Sequence, residues 1–271
     1  MAPTPRKTLD TPQDKQEPTP STPRHVALYV TCLADLMRPS VAQASLELLQ
    51  LAGCEVTVPA QQTCCGQPAY NNGDFSGAAR IAQQLIESFE DYDYVVLPSG
   101  SCAGMLIEHY PKLLEGQWLE RAHRFAGRVY ELTTFLLDVC DYHPEKQRSA
   151  APVAYHDSCA GLRELGIRQQ PRSLLARAGI PVEELAQADV CCGFGGTFCA
   201  KMPALSGAMA DQKLQDAGDT GAGTLIGGDL GCLLALEGRA SRRNMPMQFQ
   251  HIAEVLRGAA STPPNAKSDA S

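Results

Sequence analysis

His25-Val-Ala-Leu-Tyr-Val-Thr-Cys32 and Pro152-Val-Ala-Tyr-His-Asp-Ser-Cys159 are two apolar, β-branched runs that each end on a cysteine. Each reads as a buried strand, and the order of segments after each one decides the fold. After the first, Ser40 to Ala52 places Val41, Ala44, Leu48 and Leu51 at helical spacing, and Gly53 sits where a left-handed cap is favoured. A short strand at Val56 to Pro59 then leads to Cys64-Cys65-Gly66, followed by an amphipathic helix from Phe75 to Phe89. The strand Tyr94-Val-Val-Leu97 runs into Ser99-Gly-Ser-Cys102, with a helix expected over about Ala103 to Leu114.

The same order returns after the second run. Pro171 to Gly179 matches the first helix, Cys191-Cys192-Gly193 the cysteine pair and Ala204 to Ala217 the long helix. Thr224-Leu-Ile-Gly-Gly-Asp-Leu-Gly-Cys232 matches the strand that runs into a final cysteine. Cys32 and Cys64 enclose 31 residues, as do Cys159 and Cys191. Val129-Tyr-Glu-Leu-Thr-Thr-Phe-Leu and Phe249-Gln-His-Ile-Ala-Glu-Val-Leu close the two halves, so the pattern is an internal duplication. Strands alternating with helices predict an α/β fold of two similar repeats, with mostly parallel sheets flanked by helices. The expected organisation is a disordered tail over 1–24, a first repeat over 25–148, a second over 149–258 and a disordered tail over 259–271. Both tails are rich in Pro, Thr, Ser and charge and hold too little apolar surface to offset ordering entropy.

With 271 residues, 44% of them hydrophobic, the chain can bury a sizeable core. A net charge of -7, with no dense run of Lys or Arg, argues against a nucleic-acid partner. Neither a signal peptide nor an apolar stretch of membrane-spanning length is read, which predicts a cytoplasmic protein. In that compartment structural disulfides are rare, so eleven cysteines point to metal or redox chemistry.

In each repeat the thiols follow predicted strands, and parallel sheets gather functional groups at their carboxyl ends. Two candidate sites result: Cys32, Cys64, Cys65 and Cys102 in the first repeat, and Cys159, Cys191, Cys192 and Cys232 in the second, with Cys199 a possible extra ligand there. Four thiolates suit an iron–sulfur cluster or zinc. The chain has no C-x-x-C knuckle, and adjacent thiolates reach the separate irons of a cluster more readily than one small tetrahedral ion. The favoured cofactor is therefore one or two iron–sulfur clusters, with [4Fe-4S] the expected type. A zinc-stabilised or thiol/disulfide module stands as the alternative. Cys54 and Cys140 read as core thiols. His156 is either a ligand or, more readily, a hydrogen-bonded structural histidine of its strand. His251 falls where the first repeat has Glu131, which argues against a ligand role common to both. Gly193-Phe-Gly-Gly-Thr-Phe198 lacks the last glycine of a dinucleotide fingerprint, and no catalytic residue, nucleotide motif or flavin motif is legible.

Two copies of Cys, a spacer of about thirty residues, Cys-Cys-Gly, a second spacer and a further Cys resemble the CCG or cysteine-rich domain family. That family includes the cysteine-rich subunit of heterodisulfide reductase and the iron–sulfur subunit of glycolate oxidase. Cys64-Cys-Gly-Gln-Pro-Ala-Tyr-Asn-Asn-Gly73 and Cys191-Cys-Gly-Phe-Gly-Gly-Thr-Phe198 carry the likeness most specifically, over about His25 to Leu256. The closer resemblance is to its compact lactate-utilisation branch, which has little beyond the two repeats. It implies an electron-transfer subunit of an oxidoreductase, working beside other iron–sulfur or flavin subunits to oxidise L-lactate to pyruvate. The fuller family motif ends in C-x-x-C, and here Met105 and Ala235 stand in the place of the last cysteine. That departure weighs against the five-cysteine non-cubane cluster of the heterodisulfide reductase type.

Overall fold

The computed structural model describes residues 24–146 and 151–258. The expected tails and the boundary between repeats fall outside these, save for Arg24, which opens the first strand instead of closing a tail. Among the described residues eight strands form two four-stranded sheets. The first holds β1 (Arg24–Leu28), β2 (Cys54–Thr57), β3 (Tyr94–Leu97) and β4 (Val129–Glu131) in the order β2-β1-β3-β4. The second holds β5 (Val153–His156), β6 (Val182–Glu183), β7 (Thr224–Gly227) and β8 (Gln248–His251) in the order β6-β5-β7-β8. Every pairing is parallel, and the two sheets repeat one topology, as the duplication predicts.

This order explains where the cysteines go. The chain leaves β1 to one side to make β2, then returns to the other side for β3, so the carboxyl ends of β1 and β3 flank a topological switch point. Crevices of parallel sheets open there. Cys32 and Cys102 follow β1 and β3, and Cys159 and Cys232 follow β5 and β7.

Side chains on a strand alternate between its faces, and here the alternation sorts the core. Ala27, Tyr29, Val95 and Leu97 face a cluster belonging to the first repeat, with Leu85, Ile86, Phe89, Tyr110 and Phe125. Ala154 and Leu225 face an equivalent cluster of the second repeat, with Leu214, Leu233 and Leu236. The opposite faces meet in one shared core: Val26, Leu28 and Val96 from the first sheet join Val153, Tyr155 and Ile226 from the second. Helices seal it reciprocally. The helix Ile252–Arg257 of the second repeat packs on Pro39–Leu51 of the first, while Gln169–Arg177 packs on the helical segments Leu132–Thr134 and Phe135–Val139. Arg38 crosses the same boundary, donating to Glu237 at 2.8 Å and to the Phe249 carbonyl at 3.1 Å.

Candidate metal centres

Seven of the eight expected cysteines are placed by a short local device, Cys232 being the exception. Thr31, Ser99 and Ser158 cap the helices that start after β1, β3 and β5, their hydroxyls accepting from the backbone N–H three residues on. These caps fix the first turns that carry Cys32, Cys102 and Cys159. In both Cys-Cys-Gly turns the glycine lies in the left-handed region, at φ 83° for Gly66 and for Gly193. A Cβ on Gly193 would also stand 2.7 Å from the Ser206 carbonyl oxygen, so no other residue fits without moving backbone. Beyond the first pair, Tyr29 donates to the Thr63 carbonyl at 2.7 Å and Tyr110 to the Cys65 carbonyl at 2.9 Å, holding the loop from both sides.

All eight expected cysteines come together in two sets of four. In the first, Cys32 and Cys64 are hydrogen-bonded, Cys64 meets Cys65, and the Cys65 and Cys102 sulfurs lie 3.4 Å apart. In the second, the Cys159 and Cys191 sulfurs lie 4.0 Å apart, Cys191 meets Cys192, and Cys192 meets Cys232. The order of contacts is the same in both. Within each set one thiol is pushed far down: Cys64 by hydrogen bonds from Cys32 and then Cys65, Cys191 by those from Cys159 and then Cys192, each helped by a glycine N–H. For Cys191 that N–H is Gly193, 3.3 Å from the sulfur. The hydrogen-bonded neighbours Cys32, Cys65, Cys159 and Cys192 are pushed up. In each site hydrogen bonds from neighbouring thiols thus favour the thiolate form of one cysteine, the form that binds metals.

Cys199 is turned away from this set, its thiol directed at the Gly196 carbonyl at 3.0 Å. Cys54 and Cys140 lie outside both sites and touch each other, sulfur to sulfur at 3.8 Å, against the shared core. The structural reading of His156 needs correction: it is buried, but neither ring nitrogen has a hydrogen-bond partner among the described residues. A ring nitrogen of His156 lies within 4.8 Å of the Cys192 and Cys232 sulfurs. Burial first, then Lys213, lowers its pKa to about 4, so the ring is neutral. Tyr29 takes the equivalent place in the first repeat.

Sequence reasoning missed the polar residues between the repeats. Asp229, three residues before Cys232, reaches across to accept from the Ser101 N–H at 2.8 Å and the Ser99 hydroxyl at 3.3 Å. It thus steadies the turn that carries Cys102. Glu131 and His251 are buried close by, and Asp157, held by both terminal nitrogens of Arg172 at 2.9 and 2.8 Å, lines a small cavity of about 10 Å³ with Glu131, Tyr155 and Gly228. The one available signal was that Asp229 aligns with the capping Ser99 of the first repeat.

The fold and its paired thiol sets define a duplicated α/β protein whose clustered cysteines, at the ends of its strands, suggest metal or iron–sulfur binding. Residues 26–107 and 153–237 each match the cysteine-rich domain (CCG), and the chain belongs to that family. It is 45% identical over 234 residues to "Lactate utilization protein A" of Halalkalibacterium halodurans, covering 85% of this chain and 96% of that one. It is 46% identical over 237 residues to the protein of the same name from an Exiguobacterium species, covering 86% and 96%. Among solved structures, a hypothetical protein from Helicobacter pylori shares the fold at a TM-score of 0.56 and 11% identity, over 90% of this chain and half of that one. No helix among the described residues is long and apolar enough to cross a membrane.

Proposed function

We propose that the chain is an iron–sulfur electron-transfer subunit in lactate utilisation, working with other iron–sulfur or flavin subunits that oxidise L-lactate to pyruvate. The observation that carries this reading is the repeated gathering of four thiols at equivalent strand ends, with one of each set pushed down by its thiol neighbours. Cys32, Cys64, Cys65 and Cys102 would hold one cluster, and Cys159, Cys191, Cys192 and Cys232 the other. The donor set fits: soft sulfur ligands, glycine N–H groups beside them, and an imidazole with unmet nitrogens at the second site. A bound cluster supplies one-electron storage and transfer. The protein's own part is to fix the thiols, exclude water and set their charge. The relatives' shared name, across nearly their whole length, supports lactate utilisation as the setting.

A second reading has one observation in its favour. His156, Cys192 and Cys232 make a compact nitrogen and sulfur donor group of the kind zinc takes, so the second site could be a structural zinc centre. Iron, zinc and acid-labile sulfide in anaerobically purified protein separate the two. Brown protein rich in iron and sulfide is expected, and colourless protein with stoichiometric zinc would refute the cluster. Lactate is then tested with an artificial electron acceptor, where the isolated chain should be inactive and the assembly with its co-purifying partners active.

A further inference from the structure

We propose that His156 ligates iron at the second site through a ring nitrogen, so that the two sites are chemically unequal: all thiolate in the first repeat, mixed imidazole and thiolate in the second. The inference rests on the reading of both sites as iron–sulfur centres. It starts from an unpaired group. His156 is 2% exposed, and both its ring nitrogens lack hydrogen-bond partners among the described residues. Buried polar atoms are nearly always satisfied, and an exception calls for a specific cause such as a bound ion. The ring is aimed at a place for one: a nitrogen of His156 and the buried Cys192 and Cys232 sulfurs all lie within 4.8 Å of one another.

The neighbours that might have satisfied it are engaged elsewhere. Lys213 donates to the Gln187 carbonyl at 2.5 Å, and Asp157 is held by Arg172 at 2.8 and 2.9 Å. The position of His156 is set by the sheet. It is the last residue of β5 and pairs in register with Gly227, the last residue of the strand that leads to Cys232. A Cβ on Gly227 would stand 3.1 Å from the His156 carbonyl oxygen, so the glycine permits this close approach. The first repeat has no such donor, because Tyr29 fills the place and its hydroxyl is spent on Thr63.

Five donors therefore surround the second site and four the first, so a four-iron cluster that takes the His156 imidazole leaves one of the four thiols unligated. Exchanging an anionic thiolate for a neutral imidazole makes a cluster easier to reduce. The second site should then have the higher potential and take electrons from the first.

The test is pulsed EPR of the reduced full-length protein, reconstituted anaerobically with iron and sulfide, unlabelled and labelled with 15N-histidine. His156 is the one histidine that the described residues group with site cysteines, so a strong nitrogen coupling that changes with the label is expected from it. The coupling should vanish in His156→Cys, which keeps its iron while one of the two midpoint potentials shifts lower. Should that variant fail to fold, the labelled wild-type spectrum decides alone. Iron and sulfide present in full without a histidine coupling, or a coupling that survives in His156→Cys, would overturn this inference and leave the cluster reading standing. Wild-type protein that takes up no iron would instead overturn the cluster reading, and this one with it.

Discussion

Glu131 and His251 end the last strands of their repeats, and each caps the helix that follows with its own side chain. Burial pushes the Glu131 carboxyl up to about 7, against the opposing pull of its hydrogen bonds from Thr133 and Thr134 and with a smaller push from Asp229. Below pH ~4.5 folded and unfolded chains both hold the proton. Between there and about 7 the unfolded chain releases it while the folded chain keeps it, so the group costs stability as pH rises through that window. The displacement corresponds to ~3 kcal/mol. In Glu131→Gln the amide oxygen can still accept from Thr133 and Thr134, and the variant should gain on wild type by up to ~3 kcal/mol between pH 5 and 8. Urea denaturation across that range measures it, and parallel pH profiles would show that Glu131 is not the titrating group. The cysteines allow a second contrast. Cys64→Ser and Cys191→Ser each remove one cysteine of a set and should each cost about half of the bound iron. Cys140→Ser alters a thiol that meets Cys54 against the shared core, outside both sets, and should leave iron content unchanged. Equal loss in all three would mean that the assigned sets are wrong.

At the scale of elements, the helices Gly100–Gly104 and Cys159–Glu164 cross with glycine against glycine. A Cβ on Gly100 would stand 2.8 Å from the Ser158 hydroxyl and 3.0 Å from the Gly161 Cα, and neither the cap nor the backbone can yield cheaply. Gly100→Ala should destabilise the fold by ~1–3 kcal/mol, as overpacking does. Gly223→Ala, where the added methyl meets nothing within 4 Å, should change it far less. Denaturation midpoints of the two variants test the contrast. The elements also show what a sequence can disclose. The helix Phe75–Phe89 and the strand Tyr94–Leu97 lie where periodicity puts them, because their signals are local and strong. The expected helix over Ala103 to Leu114 begins earlier, at Gly100, under the Ser99 cap, and widens to a π-helical stretch over Met105–His109. Pro111, two residues beyond that stretch, has no N–H for the Ile107 carbonyl, so regular α-helical bonding could not continue unbroken there. The gathering of these eight cysteines into two sets of four was legible from repeat spacing and strand ends. Asp229, Glu131 and the unmet nitrogens of His156 were not, since their roles depend on partners that only the packed repeats bring near.

Across the whole molecule, the repeats are joined more deeply than their separate sheets suggest. Val26, Leu28 and Val96 would face water if the second repeat were removed, as would Val153, Tyr155 and Ile226 without the first. Fragments 1–148 and 149–271 should each be insoluble or expanded when expressed singly, yet form a one-to-one complex when co-expressed. Size-exclusion chromatography distinguishes these outcomes, and two well-folded monomeric fragments would contradict the shared core. The reciprocal seal, with the closing helix of each repeat laid on the first helix of the other, is the arrangement of an isologous interface, where one patch meets its own copy about a two-fold axis. A single-repeat ancestor with the same buried face would have been an obligate homodimer with two identical centres. Within one chain the two halves are free to differ: Tyr29 and His156, Glu131 and His251, Ser99 and Asp229 are pairs of unlike residues that a symmetric dimer cannot place at equivalent positions.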